Sequence, residues 1–139
     1  LAIVNVPEST IAREANAVIY THAGPEIGVA STKAFTTQLA TLACLAVEFA
    51  KARKAQDDTA RKKLCELLLE VPSYMAEILK QDHKIQALAG NLMKARDMLF
   101  IGRGTSFAIA MEGALKMKEI SYIHAEAYAA GELKHGPIA

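Results

Sequence analysis

Glu112, Lys116 and Glu119 stand at i, i+4 and i+7 of a stretch with helical apolar spacing, so they share one helix face. At about 100° per residue the three occupy an arc of roughly 60°. Ile109 and Ile120 flank that arc on one side and Leu115 on the other. A solvated helix face is ordinarily wider and more polar. A narrow charged stripe between apolar flanks fits the wall of a cleft, where Lys116 holds a carboxylate or substrate oxygen and a glutamate moves a proton. The same spacing also serves a surface Glu–Lys pair, worth a few tenths of a kcal/mol.

Three further constellations carry residue types suited to chemistry. His135 lies in Gly-Glu-Leu-Lys-His-Gly-Pro, between a helical turn and a Gly-Pro break. An imidazole on a loop is placed to shuttle protons near neutrality, although a lone histidine is more often structural. Gly102-Arg-Gly-Thr-Ser106 follows an apolar run and opens a helix, an arrangement that can offer backbone N–H groups to an anion. It lacks the Lys-Ser/Thr ending of a phosphate-binding loop and serves equally as a tight turn with a cap. In Ala23-Gly-Pro-Glu-Ile-Gly-Val-Ala-Ser-Thr32, Gly28 can bring backbone close to a ligand, with Val29 to Thr32 lining that spot; the alternative is that Gly24 and Gly28 shape a turn and Ser31 caps the helix. His22, His83 and His124 form no ligand cluster, and no metal is expected.

The elements that must position these residues alternate between strand and helix. Residues 1–6 form a continuous apolar run closed by Pro7, as buried parallel strands do. Ser9 or Thr10 can cap a short helix through Glu14, and residues 17–21 are a second strand. Strand, short crossover and strand predict a parallel sheet. A helix is expected from Ser31 or Thr32 to about Ala55, apolar on most sides and therefore well buried. Asp57-Asp58 caps another to about Glu70, Pro72 breaks it, and further helices reach about Gln81 and about Ala95. The α/β pattern then restarts: a strand at 98–101, a helix at 107–121, a strand at 123–128 and a helical turn at 129–134.

Composition excludes several classes of function. The 139 residues are 52% hydrophobic and 22% charged, which is globular and not disordered. A net charge of +1 and 6% aromatics give neither an electrostatic pull toward nucleic acid nor a stacking platform for single strands. The longest apolar stretch, 39–50, is too short for a membrane span and contains Glu48. Cys44 and Cys65 lie in helical stretches and are expected to be buried, reduced thiols. With no export, membrane or disulfide signal, the cytoplasm is the expected compartment. The chain opens at Leu1 and stops shortly after a Gly-Pro pair, so it is expected to be a piece of a longer protein.

The runs AGPEIGVASTKAFTTQL (23–39) and EGALKMKEISYIHAEAYAAGELKHGP (112–137) closely resemble the glutamine–fructose-6-phosphate aminotransferase (isomerizing) family, and NVPEST (5–10) and LFIGRG (99–104) fit it as well. The resemblance implies an α/β fold, a three-layer parallel-sheet sandwich of the flavodoxin-like SIS (sugar isomerase) kind. Residues 1–70 would close one such domain; 71–139 would bring a helical connection and open a second. It implies that glutamine-derived ammonia, released by a glutaminase domain elsewhere in the parent chain, is joined to fructose 6-phosphate to give glucosamine 6-phosphate, without metal or organic cofactor. Glu119 then moves a proton between carbons 1 and 2 of the open-chain sugar, and Lys116 stands beside it at the hydroxyls. His135 opens the ring in the neighbouring subunit of a homodimer, Val29, Ala30 and Ser31 contact the sugar, and Glu112 has a supporting role. The main phosphate-binding turns and the imine-forming lysine would lie outside these residues, so the isolated chain is expected to be inactive. Alternatives are a glutaminase-free SIS isomerase or deaminase, and a non-catalytic SIS sensor of sugar phosphates.

Overall fold

The computed structural model describes residues 1–138. Two compact units are present: one comprises residues 1–27 and 31–85, the other residues 28–30 and those from 86 onward. The expected domain boundary at 70/71 lies within one helix, residues 58–79, and the division between Ile85 and Gln86 lies within the next, residues 82–92.

In the first unit β1 (Ala2–Val4) pairs in parallel with β2 (Val18–Tyr20), Ala2 opposite Val18 and Val4 opposite Tyr20. Between them α1 (Thr10–Glu14) makes the short crossover expected for a parallel pair. Ser9 caps it, its hydroxyl oxygen accepting from the Ala12 N–H at 3.4 Å. The long helix α2 (Lys33–Ala52) forms where the glycines and prolines stop.

Three expectations for this unit are corrected. Helix α2 has no buried residue, and Leu39, Leu42 and Phe49 are exposed. Apolar residues on most sides record what a helix needs against it, and two three-residue strands can cover only one side. An apolar groove of about 400 Å³ consequently lies open between β2 and α2, lined by Ile19, Thr37, Ala40, Cys44 and Leu45. Cys44 and Cys65 are free and exposed, not buried. Finally, α3 (Asp58–Leu79) starts on Asp57 as expected, whose Oδ1 accepts from the Ala60 N–H at 2.7 Å, but it continues through Pro72. Proline removes one i→i−4 bond and costs roughly 3 kcal/mol in a helix interior. Here the bond lost is to the carbonyl of Leu68, and strong helix formers stand within a few residues on both sides, Leu67 to Glu70 before Pro72 and Met75 to Glu77 after it.

The second unit takes in the end of α4 (Asp82–Leu92) and then a βαβ motif: β3 (Asp97–Gly102), α5 (Thr105–Ser121) and β4 (His124–Ala129). The strands are parallel, Asp97 opposite His124 and Gly102 opposite Ala129. Helix α5 packs on both strands through small residues. Ala110 and Ala114 are buried, Ala125 on β4 is fully enclosed, and a Cβ on Gly113 would come within 2.9 Å of the Phe100 ring. Small residues one turn apart let the helix axis lie close to the sheet, which fixes its rotation about that axis. The turn into α5 needs Gly104, whose φ of 55° is in the region that favours glycine. A single 3₁₀ turn, η1 (Leu133–His135), follows β4.

Candidate functional site

The rotation of α5 decides where its charges point. Ala110 and Ala114 face the strands, and at 100° per residue the Glu112, Lys116 and Glu119 arc lies roughly 180° away. The stripe therefore stands on the side of α5 opposite its own sheet. Its apolar flanks, Ile109, Leu115 and Ile120, are exposed there.

Within the stripe Lys116 bridges both carboxylates. Its Nζ donates to Glu119 Oε2 at 2.7 Å and stands 3.3 Å from Glu112 Oε1. All three side chains are only 22–31% exposed, so this is no freely solvated surface pair. The hydrogen bond to Glu119 chiefly, against some desolvation, holds the Lys116 ammonium above the usual lysine range, and Glu112 adds to the effect. The ammonium is thus kept charged, and the Lys116 contact leaves Oε1 of Glu119 available to a reacting group. The face inferred from spacing alone is the one the structure assembles.

The other expected residues are placed separately. His135, on η1, is exposed and its Nδ1 lies 2.9 Å from Glu132 Oε2, so its hydrogen-bond partner is Glu132 and not the α5 stripe. Val29 is 92% exposed and Ala30 5%. Both belong to the second compact unit together with α5, while Ser31 belongs to the first. In the Gly104 turn, Ser106 N–H donates to the Arg103 carbonyl and Phe107 N–H to the Gly104 carbonyl, at 3.1 Å each. Two of the amides an anion would need are thereby already engaged.

Two residues escaped the sequence reading. Asn5, directly after β1, ties down the loop after β2: Oδ1 accepts from the Ala23 N–H at 2.8 Å and the Thr21 hydroxyl at 3.1 Å, and Nδ2 donates to the Gly24 carbonyl at 2.7 Å. The second is Glu26. Thr32 occupies the N-cap position of α2 but its side chain makes no cap. Instead Glu26 Oε1 accepts from the Thr32 and Ala34 N–H groups at 2.8 Å each, and Oε2 accepts from the Thr32 hydroxyl at 3.2 Å. These backbone donors, Ala34 first, hold the Glu26 carboxyl below the usual range. A side-chain oxygen six residues before the helix cap lies outside the short capping patterns; only its place in the Gly-rich loop could have signalled it.

No helix is long and apolar enough to cross a membrane, and among the described residues no three His, Cys, Asp or Glu side chains are gathered as a metal site.

Parallel strands joined by helices that pack on them define an α/β class of fold. The chain belongs to the SIS domain family, whose model matches residues 1–48 and 91–139. Its relatives narrow this further. It is 60% identical over 139 residues to glutamine–fructose-6-phosphate aminotransferase [isomerizing] of Bradyrhizobium diazoefficiens, covering 100% of this chain and 23% of that protein. The protein of the same name from Bartonella quintana is 59% identical over 137 residues, 99% of this chain and 23% of its own length. Among solved structures, the C-terminal domain of glucosamine-fructose-6-phosphate aminotransferase from Francisella tularensis superposes with a TM-score of 0.95 at 48% identity, covering 98% of this chain and 38% of that one. The likeness read from residues 23–39 and 112–137 therefore extends over essentially the whole chain. The chain spans 23% of the length of these curated relatives.

Proposed function

We propose that this chain is the isomerase part of a glutamine–fructose-6-phosphate aminotransferase, contributing to the conversion of fructose 6-phosphate and glutamine-derived ammonia into glucosamine 6-phosphate. In this reading residues 1–70 close one SIS domain and residues 71–139 open the next. The observation that carries it is the half-buried Glu112–Lys116–Glu119 bridge, in a chain about 60% identical to proteins of that name.

The chemistry follows from the atoms. Ammonia must first replace the carbon-2 carbonyl oxygen of the open-chain sugar as an imine, with loss of water; isomerisation then removes a proton from carbon 1 and returns it to carbon 2. Glu119 has one oxygen held by Lys116 and the other open to take and return that proton. Lys116, kept charged, steadies the adjacent sugar oxygen, and Glu112 keeps the ammonium in place from its other side. The backbone at Val29, Ala30 and Ser31 receives the sugar hydroxyls. His135 serves ring opening in the neighbouring subunit of a homodimer, with Glu132 orienting its imidazole through Nδ1. The glutaminase domain of the parent chain supplies the ammonia, and the enzyme works in the cytoplasm.

A product assay on the parent chain tests the proposal. With fructose 6-phosphate and glutamine, glucosamine 6-phosphate and glutamate are the expected products. Interconversion of fructose 6-phosphate and glucose 6-phosphate without aminosugar would replace this reading with a glutaminase-free isomerase. Sugar-phosphate binding without any product would replace it with a sensor. His135→Ala in the parent is expected to lower kcat/KM for ring-closed substrate by about 100-fold and for an open-chain analogue much less. Equal losses on both would remove His135 from ring opening.

A further inference from the structure

We infer that Glu26 is a positioning residue for the sugar-contacting segment 28–31, holding it as a closed loop from a carboxylate at its base. The inference rests on the functional reading above and adds to it a residue that does not touch the substrate.

Glu26 and Thr32 bracket five residues, Ile27 to Ser31. Among the described residues, none of these five makes a hydrogen bond to another protein group, backbone or side chain. Nothing polar within the loop therefore holds its shape. Ile27 and Val29 are each 92% exposed, so packing holds those two no better. Ala30 is different: it is 5% exposed, yet among the described residues its N–H and C=O have no hydrogen-bond partner. Buried backbone groups are almost always paired, so an orphaned pair is where a hydroxyl-bearing ligand gains most.

The polar closure of this loop is the work of Glu26. Its three accepted bonds, to Thr32 N–H, Ala34 N–H and the Thr32 hydroxyl, bind the start of the loop to the first turn of α2. Glu26 takes the Ala34 N–H, one of the donors a Thr32 cap would use, and Thr32 makes no side-chain cap of its own. A carboxylate suits this place, because the helix N-terminus carries partial positive charge and charge-assisted bonds are the stronger kind. Upstream, Asn5 fixes residues 21–24 through its three bonds, so the loop leaves from a braced stem and returns to a clamped one. A loop so held meets a sugar without first paying the entropy of ordering its backbone.

The test is Glu26→Ala and Glu26→Gln in the full-length parent enzyme, with steady-state kinetics in fructose 6-phosphate, direct binding of the same sugar phosphate, and thermal melting. Glu26→Ala should raise KM about tenfold and weaken binding in parallel, with kcat changed less than about threefold, because the proton-transfer group on α5 is untouched. Glu26→Gln keeps the chain length and one acceptor oxygen and should recover most of the loss. It also remains interpretable if the alanine variant fails to fold. A lowered melting temperature with KM within twofold of wild type would make Glu26 a helix cap and nothing more, overturning the inference. Equal defects in kcat with unchanged KM would do the same. A wild-type parent without aminosugar synthesis would remove the functional reading and this inference with it, a result distinct from an active wild type with unaffected Glu26 variants.

Discussion

Glu119→Gln in the parent enzyme should lower isomerising turnover by about 10³-fold while leaving fructose 6-phosphate binding within a few-fold of wild type. The substitution is nearly isosteric, and the amide oxygen can still accept the Lys116 bond now made at 2.7 Å. Lys116 also keeps Glu112 at 3.3 Å, so the ammonium does not become an unpaired charge. What disappears is the ability to take a proton and give it back. The loss belongs in kcat, because an interaction realised only in the transition state contributes little to ground-state binding. Single-turnover formation of glucosamine 6-phosphate, alongside calorimetry of sugar-phosphate binding, reads the two separately. Turnover near that of wild type would take Glu119 out of the proton transfer. Abolished binding with a collapsed melting curve would show that the bridge is structural.

The shared face of Glu112, Lys116 and Glu119 was legible in the sequence because its signal is periodic. Residues four and seven apart must share a helix face, and the 2.7 and 3.3 Å contacts follow from that geometry. The strands were legible for a similar reason: the apolar runs at 1–6 and 98–101 become β1 and β3, each pairing in parallel with the next strand along the chain. What failed to show depends on contacts that no local pattern encodes. Glu26 reaches over the five loop residues to cap α2, whereas local rules offered Ser31 or Thr32. Pro72 reads as a helix end to any rule that weighs one residue at a time, yet α3 runs through it, with Leu67 to Glu70 before and Met75 to Glu77 after it as strong helix formers. Burial was misjudged for the long apolar helix. Phe49 and Leu42 stay exposed because periodicity names the face that seeks cover without supplying the cover, while among the described residues the buried side chains are alanines, at Ala2, Ala30, Ala110, Ala114 and Ala125.

The alanine-and-glycine packing beneath the stripe makes the second large effect a structural one. Gly102→Ala should destabilise the parent enzyme by about 3 kcal/mol or more, at the upper end of overpacking costs. Gly102 is buried at the end of β3, and a Cβ there would lie 2.6 Å from the Cα of Phe107 and closer still to the Ser106 carbonyl oxygen. Both are backbone atoms in the first turn of α5, so no rotamer change can make room. Gly113 provides the contrast: its Cβ would meet the Phe100 ring at 2.9 Å, and a ring can shift. Accommodating Gly102→Ala instead requires the start of α5 to lift from β3, carrying the helix that holds Lys116 and Glu119 with it. Soluble yield and melting temperature should therefore fall further for Gly102→Ala than for Gly113→Ala, and whatever Gly102→Ala protein folds should lose turnover although no catalytic atom was changed. A Gly102→Ala enzyme with wild-type melting and turnover would mean that the close seat of α5 on β3 is not what aims the stripe.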